Sequence, residues 1–135
     1  MRPAFAPGER LLVSTNAYRK VRPSRGDVVV FKDPREPARR SLKRVIGLPE
    51  EEVRLSDGML YIDGEHHFEP YLGGLPATVG LGHRSWSLRR DEYFVMGDNR
   101  AHSTDRRLQG PLEAELLVGK AWFRCWPPRR WGSLS

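Results

Sequence analysis

The chain has 135 residues, the length of one domain with a modest hydrophobic core. Hydrophobic residues make up 39% and charged residues 30% of the sequence, a balance that excludes wholesale disorder. The formal net charge of +6 suits an anionic partner, either nucleic acid or an acidic membrane surface, but specifies neither of them.

Short apolar runs, separated by turn signals, recur along the whole chain. In order they are ERLLVS, DVVVFK, SLKRVIGLP, EEVRLS, MLYIDG, SWSLRR, EYFVM and AWFRCW, and PLEAELLVGK ahead of the last run has room for one helical turn. Asp57-Gly58, between the fourth and fifth runs, is a strong signal for a two-residue hairpin turn. The glycine- and proline-rich segment 69–84 is expected to be a surface loop or a small insertion. The pattern predicts an all-β fold, mainly antiparallel with little helix, in one domain over residues 1–135.

The third run, SLKRVIGLP, carries two adjacent cations, Lys43 and Arg44. Side chains alternate between the two faces of a strand, so one cation must point toward whatever covers that face. Lys43 could be a surface lysine that protects an edge strand from pairing with other chains. It could instead be a buried amine whose pKa is lowered by desolvation and which acts as a general base toward a serine hydroxyl. The residues alone leave both interpretations open.

A second informative segment is MGDNRAHSTDRR, which forms a turn directly after an apolar strand. It gathers Asp98, Arg100, Asp105 and Arg107 on one loop, with Ser103 as a neutral hydrogen-bonding group among them. The segment could be a charged surface loop. It could also be a fixed loop whose Asp/Arg pairs orient a site. The residues alone favour neither interpretation.

The C-terminal region combines aromatic rings with arginines, in AWFRCWPPRRW. Its rings could close the core, lie at headgroup depth in a membrane interface, or stack on nucleic acid. Cys125 is the single cysteine of the chain, which excludes an internal disulfide and a metal site built from several cysteines. No apolar run reaches the roughly 20 residues that span a bilayer, and MRPAFAPGER lacks the apolar region of a signal peptide, so the chain as written is expected to be soluble or peripheral.

Five segments, taken in order, resemble the boxes of bacterial type I signal peptidases: PGERLLVSTNAYR, RGDVVVFKDP, LKRVIGLPEEEV, YFVMGDNRAHSTDRR and GKAWFRCWPP. The resemblance runs nearly from end to end and implies the catalytic domain of that family over residues 1–135. It implies a membrane-bound serine endopeptidase on the outer face of the bacterial cytoplasmic membrane, which removes signal peptides from secretory preproteins after small residues. The expected partners are thus the preprotein and the membrane surface, with no nucleic acid, no metal and no other cofactor.

The resemblance also implies roles for single residues. Lys43 falls on the general base of the family's Ser/Lys dyad, and Ser103 falls on the serine that hydrogen-bonds this lysine. Arg44 falls where a salt-bridge partner braces the site. The other charged and polar positions of the GDNR box are expected to support the site, and they are Asp98, Asn99, Arg100, Asp105 and Arg107.

The N-terminal box departs from the family pattern, in which the nucleophilic serine precedes a methionine. MRPAF matches that box through Met1, Pro3 and Phe5, a region that is also the candidate for substrate binding. The nucleophile therefore falls on the position just before Met1, outside the 135-residue chain, as does the family's transmembrane anchor. Ser14 and Ser41 match no position from which they could replace it. The chain as written is therefore expected to be inactive as a peptidase.

Two alternatives remain at this stage. The first is a pseudopeptidase, a non-catalytic module that binds peptides without cleaving them. The second is a basic β-barrel that binds nucleic acid. The net charge and the Trp/Arg-rich C-terminal region support this alternative.

Overall fold

The computed structural model describes residues 10–74, 82–98, 100, 109–126 and 132–133. Two one-turn 3-10 helices, Pro70–Leu72 and Ala114–Leu116, accompany the strands in these ranges. The described strands are β1 (Arg10–Ser14), β2 (Val28–Lys32), β3 (Arg40–Gly47), β4 (Glu52–Ser56), β5 (Met59–Ile62), β6 (Glu65–His66), β7 (Arg84–Ser87), β8 (Glu92–Met96), β9 (Gln109–Glu113), β10 (Leu117–Trp126) and β11 (Gly132–Ser133). The predicted all-β fold is confirmed, and the second 3-10 helix is the helical turn expected within PLEAELLVGK.

The strands form two antiparallel sheets. The larger one has the order β1-β10-β2-β3-β8-β9, with β11 added to β10, and the smaller one has the order β6-β5-β4-β7. Strand β3, which is the SLKRVIGLP run, is thus an inner strand between β2 and β8. Its pairing with β8 covers only Arg44 to Gly47. In the described part of the chain, the earlier residues Arg40–Leu42 have strand partners in β2 alone.

Both faces of the larger sheet are covered, which explains why β8 from Tyr93 onward and the last part of β3, Val45–Gly47, are continuously apolar rather than alternating. On one face, Ile46, Phe94 and Met96 pack against the smaller sheet, whose contribution to this core is Val53, Leu55, Leu60 and Ile62. On the other face a second cluster forms, made of Val29, Phe31, Val45, Tyr93, Val95 and Leu112. Lys43 and Arg44 therefore sit in a strand with a core on each side.

Two tight hairpins build the smaller sheet. Asp57 and Gly58 have φ values of 49° and 77°, as a type I′ turn requires, and they join Ser56 to its cross-strand partner Met59. This confirms the hairpin predicted at that dipeptide. A second hairpin turns at Asp63-Gly64, with φ values of 49° and 83°, a dipeptide that lies inside the predicted strand run MLYIDG.

The segment 69–84 differs from a surface loop at its beginning. Glu69 and Leu72 are only 5% and 2% exposed. Leu72 is apolar and Glu69 has a buried arginine as its partner, so both side chains are stabilised in the interior. Residues 75–81 of this segment lie outside the described residues.

The Trp/Arg-rich C-terminal region is described in part. Trp122 on β10 is exposed, whereas the side chains from 123 onward, except Gly132, lie outside the described set. Leu12 and Val13, on the neighbouring strand β1, are exposed as well. No helix among the described residues combines the length and the apolar character needed to cross a bilayer.

Gly47, the glycine of the SLKRVIGLP run, lies where the core leaves no room for a side chain. A methyl group at this position would lie 2.5 Å from Val53 Cγ2, 2.9 Å from Leu88 Cδ1 and 3.0 Å from Phe94 Cβ. Since overpacking a filled core forces neighbours apart, Gly47→Ala should lower the free energy of unfolding by about 1–3 kcal/mol in urea denaturation. Gly132→Ala is the matched control, because nothing lies within 4 Å of a methyl group there. Equal losses in the two variants would contradict the steric explanation.

Candidate active site

Lys43 and Arg44 point to opposite faces of β3, as the alternation of a strand requires. Lys43 is half-buried and lies across from Val29 of β2. Arg44 is buried and lies across from Val28 on one side and Met96 on the other. The two adjacent cations therefore belong to two different environments.

Lys43 lines a cleft of about 260 Å³ on its face of the larger sheet. Phe31, Val95 and Leu112 form apolar walls of this cleft, and Ser41 lies beside the lysine on the same strand. The remaining residues that line the cleft are Asp33, Pro34, Arg35, Gly110 and Pro111.

On the opposite face, Arg44 and Asp98 form a buried bidentate ion pair. The Arg44 Nε donates to Asp98 Oδ1 at 3.0 Å, and Nη2 donates to Oδ2 at 2.8 Å. The third guanidinium nitrogen, Nη1, donates to the carbonyl oxygen of Gly26 at 2.8 Å. The guanidinium also lies 4.2 Å from the ring centroid of Tyr71. Arg44 thereby joins β3 to Asp98, which follows β8 and Gly97 in the chain.

A second buried bidentate pair joins Arg100 to Glu69. The Arg100 Nη2 and Nη1 donate to Glu69 Oε1 and Oε2 at 2.7 and 3.0 Å. The Arg100 Nε donates to the carbonyl oxygen of Gly97 at 2.7 Å, which closes the turn on itself. Asp98 takes part in this turn, since its carbonyl oxygen accepts from the backbone N–H of Arg100 at 3.0 Å.

Tyr71 connects the two pairs. Its hydroxyl donates to Glu69 Oε1 at 2.5 Å, while its ring contacts the Arg44 guanidinium. Burial and the neighbouring Glu69 carboxylate raise the pKa of Tyr71 above its usual value, so the phenol stays protonated and remains a donor. Two arginines, two carboxylates and one phenol thus form one buried network.

The network is stable only in a narrow range of geometries, because its charged members are buried. Asp98 is fully buried and Arg100, Glu69 and Arg44 are 2%, 5% and 5% exposed, so each charge depends on a protein partner rather than on water. Buried charges cost several kcal/mol each unless they are paired and hydrogen-bonded. The bidentate geometry of both pairs offsets that cost only while the turn, β3 and segment 69–71 keep their relative positions.

The residues expected from the sequence to form the site are thus placed in two groups. Arg44, Asp98 and Arg100 meet in the network, and Lys43 lies on the other face of the strand that carries Arg44. The remaining expected residues lie outside the described part of the chain, namely Met1, Pro3, Phe5, Asn99, Ser103, Asp105 and Arg107. Among the described residues, no three His, Cys, Asp or Glu side chains group as a metal ion would require.

Sequence reasoning missed Glu69 and Tyr71, which complete the network. Both lie in the stretch EPYL at the beginning of a segment rich in glycine and proline, which is typical of surface loops. The one available signal is Leu72, an apolar residue next to them that has to be buried somewhere. Nothing in the local sequence marks the two polar residues as partners of distant arginines.

Comparisons with known proteins agree with the boxes and with this architecture. A family model described as signal peptidase, peptidase S26, matches residues 1–126. A probable signal peptidase I-2 of Synechocystis sp. is 36% identical over 141 residues, which cover 100% of this chain and 63% of that relative. Signal peptidase I V of Bacillus subtilis is 36% identical over 130 residues, which cover 88% of this chain and 76% of that relative.

A solved structure agrees at the level of the fold. The crystal structure of a signal peptidase I from Enterococcus faecalis matches with a TM-score of 0.61 at 31% identity, over 74% of this chain and 97% of that one. The chain spans less than two thirds of the length of the Synechocystis relative. A family match across nearly the whole chain, together with a shared fold, establishes that this chain belongs to the bacterial type I signal peptidase family, peptidase family S26.

Proposed function

We propose that this chain is the catalytic domain of a type I signal peptidase, with Lys43 as the general base of a Ser/Lys dyad. The observation that carries the proposal is the position of Lys43. It is a half-buried amine on an inner strand, it lines a cleft with apolar walls, and its neighbour Arg44 is fixed by a buried ion pair to Asp98 of the GDNR box. Family membership supplies the reaction class, hydrolysis of a signal peptide from a secretory preprotein.

In the proposed mechanism the neutral amine of Lys43 takes the proton of a serine hydroxyl. The serine oxygen then attacks the scissile carbonyl, and the protonated lysine gives its proton to the leaving amine. Water activated by the same lysine then hydrolyses the acyl-enzyme. The family pattern puts this serine on the position immediately before Met1. Ser103 would hydrogen-bond the Lys43 amine and orient it toward the serine.

The edge of β3 offers a way to bind the substrate. Within the described residues, the backbone of Arg40–Leu42 pairs with β2 alone, so an extended peptide could add to the other edge. Such a peptide would run beside Lys43, with alternate side chains directed to the cleft. The limited volume of a cleft walled by Phe31 and Val95 favours small side chains next to the scissile bond.

The proposal includes the outer surface of the cytoplasmic membrane as the place of action, since preproteins are processed as they cross it. Two observations support contact with that surface. Trp122, Leu12 and Val13 are exposed on adjacent strands, and the chain carries a net charge of +6. Tryptophan is enriched at membrane interfaces, and basic charge is attracted by anionic lipids.

The test compares three polypeptides that differ only before Met1. One begins at Met1, one carries Ser immediately before Met1, and one carries Ala there. Only the serine form is expected to cleave a preprotein with small residues at the −3 and −1 positions, in detergent or in lipid vesicles. A preprotein with a bulky residue at −1 is the substrate control.

Other outcomes would contradict the proposal in recognisable ways. A folded serine form that binds the signal peptide without cleaving it would indicate a peptide-binding pseudopeptidase. Salt-sensitive binding of DNA or RNA, without any interaction with the preprotein, would indicate a nucleic-acid-binding protein.

A further inference from the structure

Segment 69–71 belongs to none of the boxes that identify the family, yet it contacts both arginines of the candidate site. We propose that Glu69 and Tyr71 are positioning residues, which fix the turn carrying Asp98 and Arg100 against β3 and thereby set the position of Lys43 for catalysis. The inference rests on the proposed function for its catalytic part, and on the contacts of the described residues for its geometric part.

The contacts form a closed ring. From Asp98 it passes through the bidentate pair to Arg44, from the guanidinium to the ring of Tyr71, and from the phenol to Glu69. From Glu69 it passes through the second bidentate pair to Arg100, whose backbone N–H returns to Asp98. Each element of this ring therefore has two attachments, so none can shift alone without breaking a contact.

Glu69 attaches the turn to segment 69–71 through Arg100. Arg100 is 2% exposed, and both of its terminal guanidinium nitrogens donate to the Glu69 carboxylate. Removing the Glu69 carboxylate would take away both hydrogen bonds of this fork, and breaking a buried ion pair by removing one partner is strongly unfavourable. The turn would then move to bring Arg100 toward water, and in the sequence Ser103 follows Arg100 by three residues.

Tyr71 transmits the same constraint to β3. Its ring lies against the guanidinium of Arg44, and Arg44 directly follows Lys43 in the strand. Since the Lys43 and Arg44 side chains share one stretch of backbone, a shift that relaxes Arg44 also displaces the amine on the opposite face. A displacement of about 1 Å at a reacting group is enough to lower a rate by about 10²-fold.

The experiment pairs each variant with a control of the same chemistry elsewhere in the fold. Glu69→Gln is paired with Glu51→Gln, because Glu51 forms a similar fork with Arg25, at 2.6 and 2.7 Å, without touching the GDNR turn. Tyr71→Phe is paired with Tyr61→Phe, because the Tyr61 ring also contacts a guanidinium. The Cζ atom of Arg54 lies 4.5 Å from the centroid of that ring. All variants are studied at a temperature at which circular dichroism shows them to be folded.

Two measurements are made. The first follows the titration of the Lys43 ε-carbon by NMR in the 135-residue chain, which requires no cleavage. The second separates kcat from KM in the serine form. Glu69→Gln should move the Lys43 titration midpoint away from that of the parent chain and lower kcat by about 10- to 100-fold, with KM within about 2-fold. Tyr71→Phe should act in the same direction, with a loss in kcat of about 3- to 10-fold.

Both control variants should leave the Lys43 titration midpoint unchanged. They should also keep kcat within about 2-fold of that of the parent chain. The inference is overturned if Glu69→Gln and Tyr71→Phe behave like their controls in the titration, because their role is then purely structural. Should the serine form lack activity, the proposed function fails and the titration still decides the positioning role. Should Glu69→Gln not fold, Tyr71→Phe provides the same decision.

Discussion

Replacing Lys43 by alanine is expected to reduce preprotein cleavage by the serine form by about 10³-fold or more. The loss is large because a serine hydroxyl is a poor nucleophile until a base removes its proton, and removing a member of such a catalytic pair eliminates most of its rate enhancement. The measurement is single-turnover cleavage, with folding checked by circular dichroism.

Two further variants test whether Lys43 acts as a base or supplies only a positive charge. Lys43→Arg keeps a cation in the cleft but cannot lose its proton near neutral pH, so it should be as inactive as the alanine variant. Lys32→Ala removes an exposed lysine at the end of the neighbouring strand β2 and should leave cleavage unchanged. An active Lys43→Arg enzyme would show that the residue supplies only positive charge, and the dyad would then be wrong.

Asp98→Ala is expected to lower the free energy of unfolding by about 3–5 kcal/mol, since it leaves the Arg44 guanidinium buried without its carboxylate. The pair is nearly inaccessible, with side-chain exposures of 6% and 0%. Urea denaturation at neutral pH measures the loss. The size of this effect follows from the uncompensated charge and not from the strength of the pair itself.

The control for this prediction is an exposed ion pair of the same kind. Arg90 lies 3.4 Å from Glu50, and its side chain is 91% exposed, so Arg90→Ala should cost less than about 1 kcal/mol. The double variant Arg44→Met/Asp98→Ala should recover part of the stability lost in Asp98→Ala, because the Arg44 guanidinium is then no longer buried without its carboxylate. A double variant less stable than Asp98→Ala would show that Arg44 stabilises the fold by its contacts with Gly26 and Tyr71.

The sequence predicted what depends on neighbouring residues. The strand runs, the Asp57-Gly58 hairpin and the opposite directions of Lys43 and Arg44 all follow from patterns two to nine residues long. The Asp63-Gly64 hairpin carried the same kind of local signal and could have been predicted from it.

The buried network could not be predicted in the same way, because its partners are far apart in the chain. Arg44 and Asp98 are separated by 54 residues, and Arg100 and Glu69 by 31. The resemblance to a family supplied Arg44 and Asp98, since they stand in its boxes. Glu69 and Tyr71 stand in none of them, and only the folded arrangement brings them to the arginines.

The opposite orientation of two adjacent cations has a consequence for how β3 can vary. A strand has a repeat of two residues, so a slip of one residue exchanges its faces. Such a slip would direct the guanidinium of Arg44 to the cleft and the amine of Lys43 to Asp98, which would remove the proposed base from the cleft and disrupt the buried pair at once. A single inserted or deleted residue between the first pairing of β3 with β2 and Gly47 would therefore abolish the site.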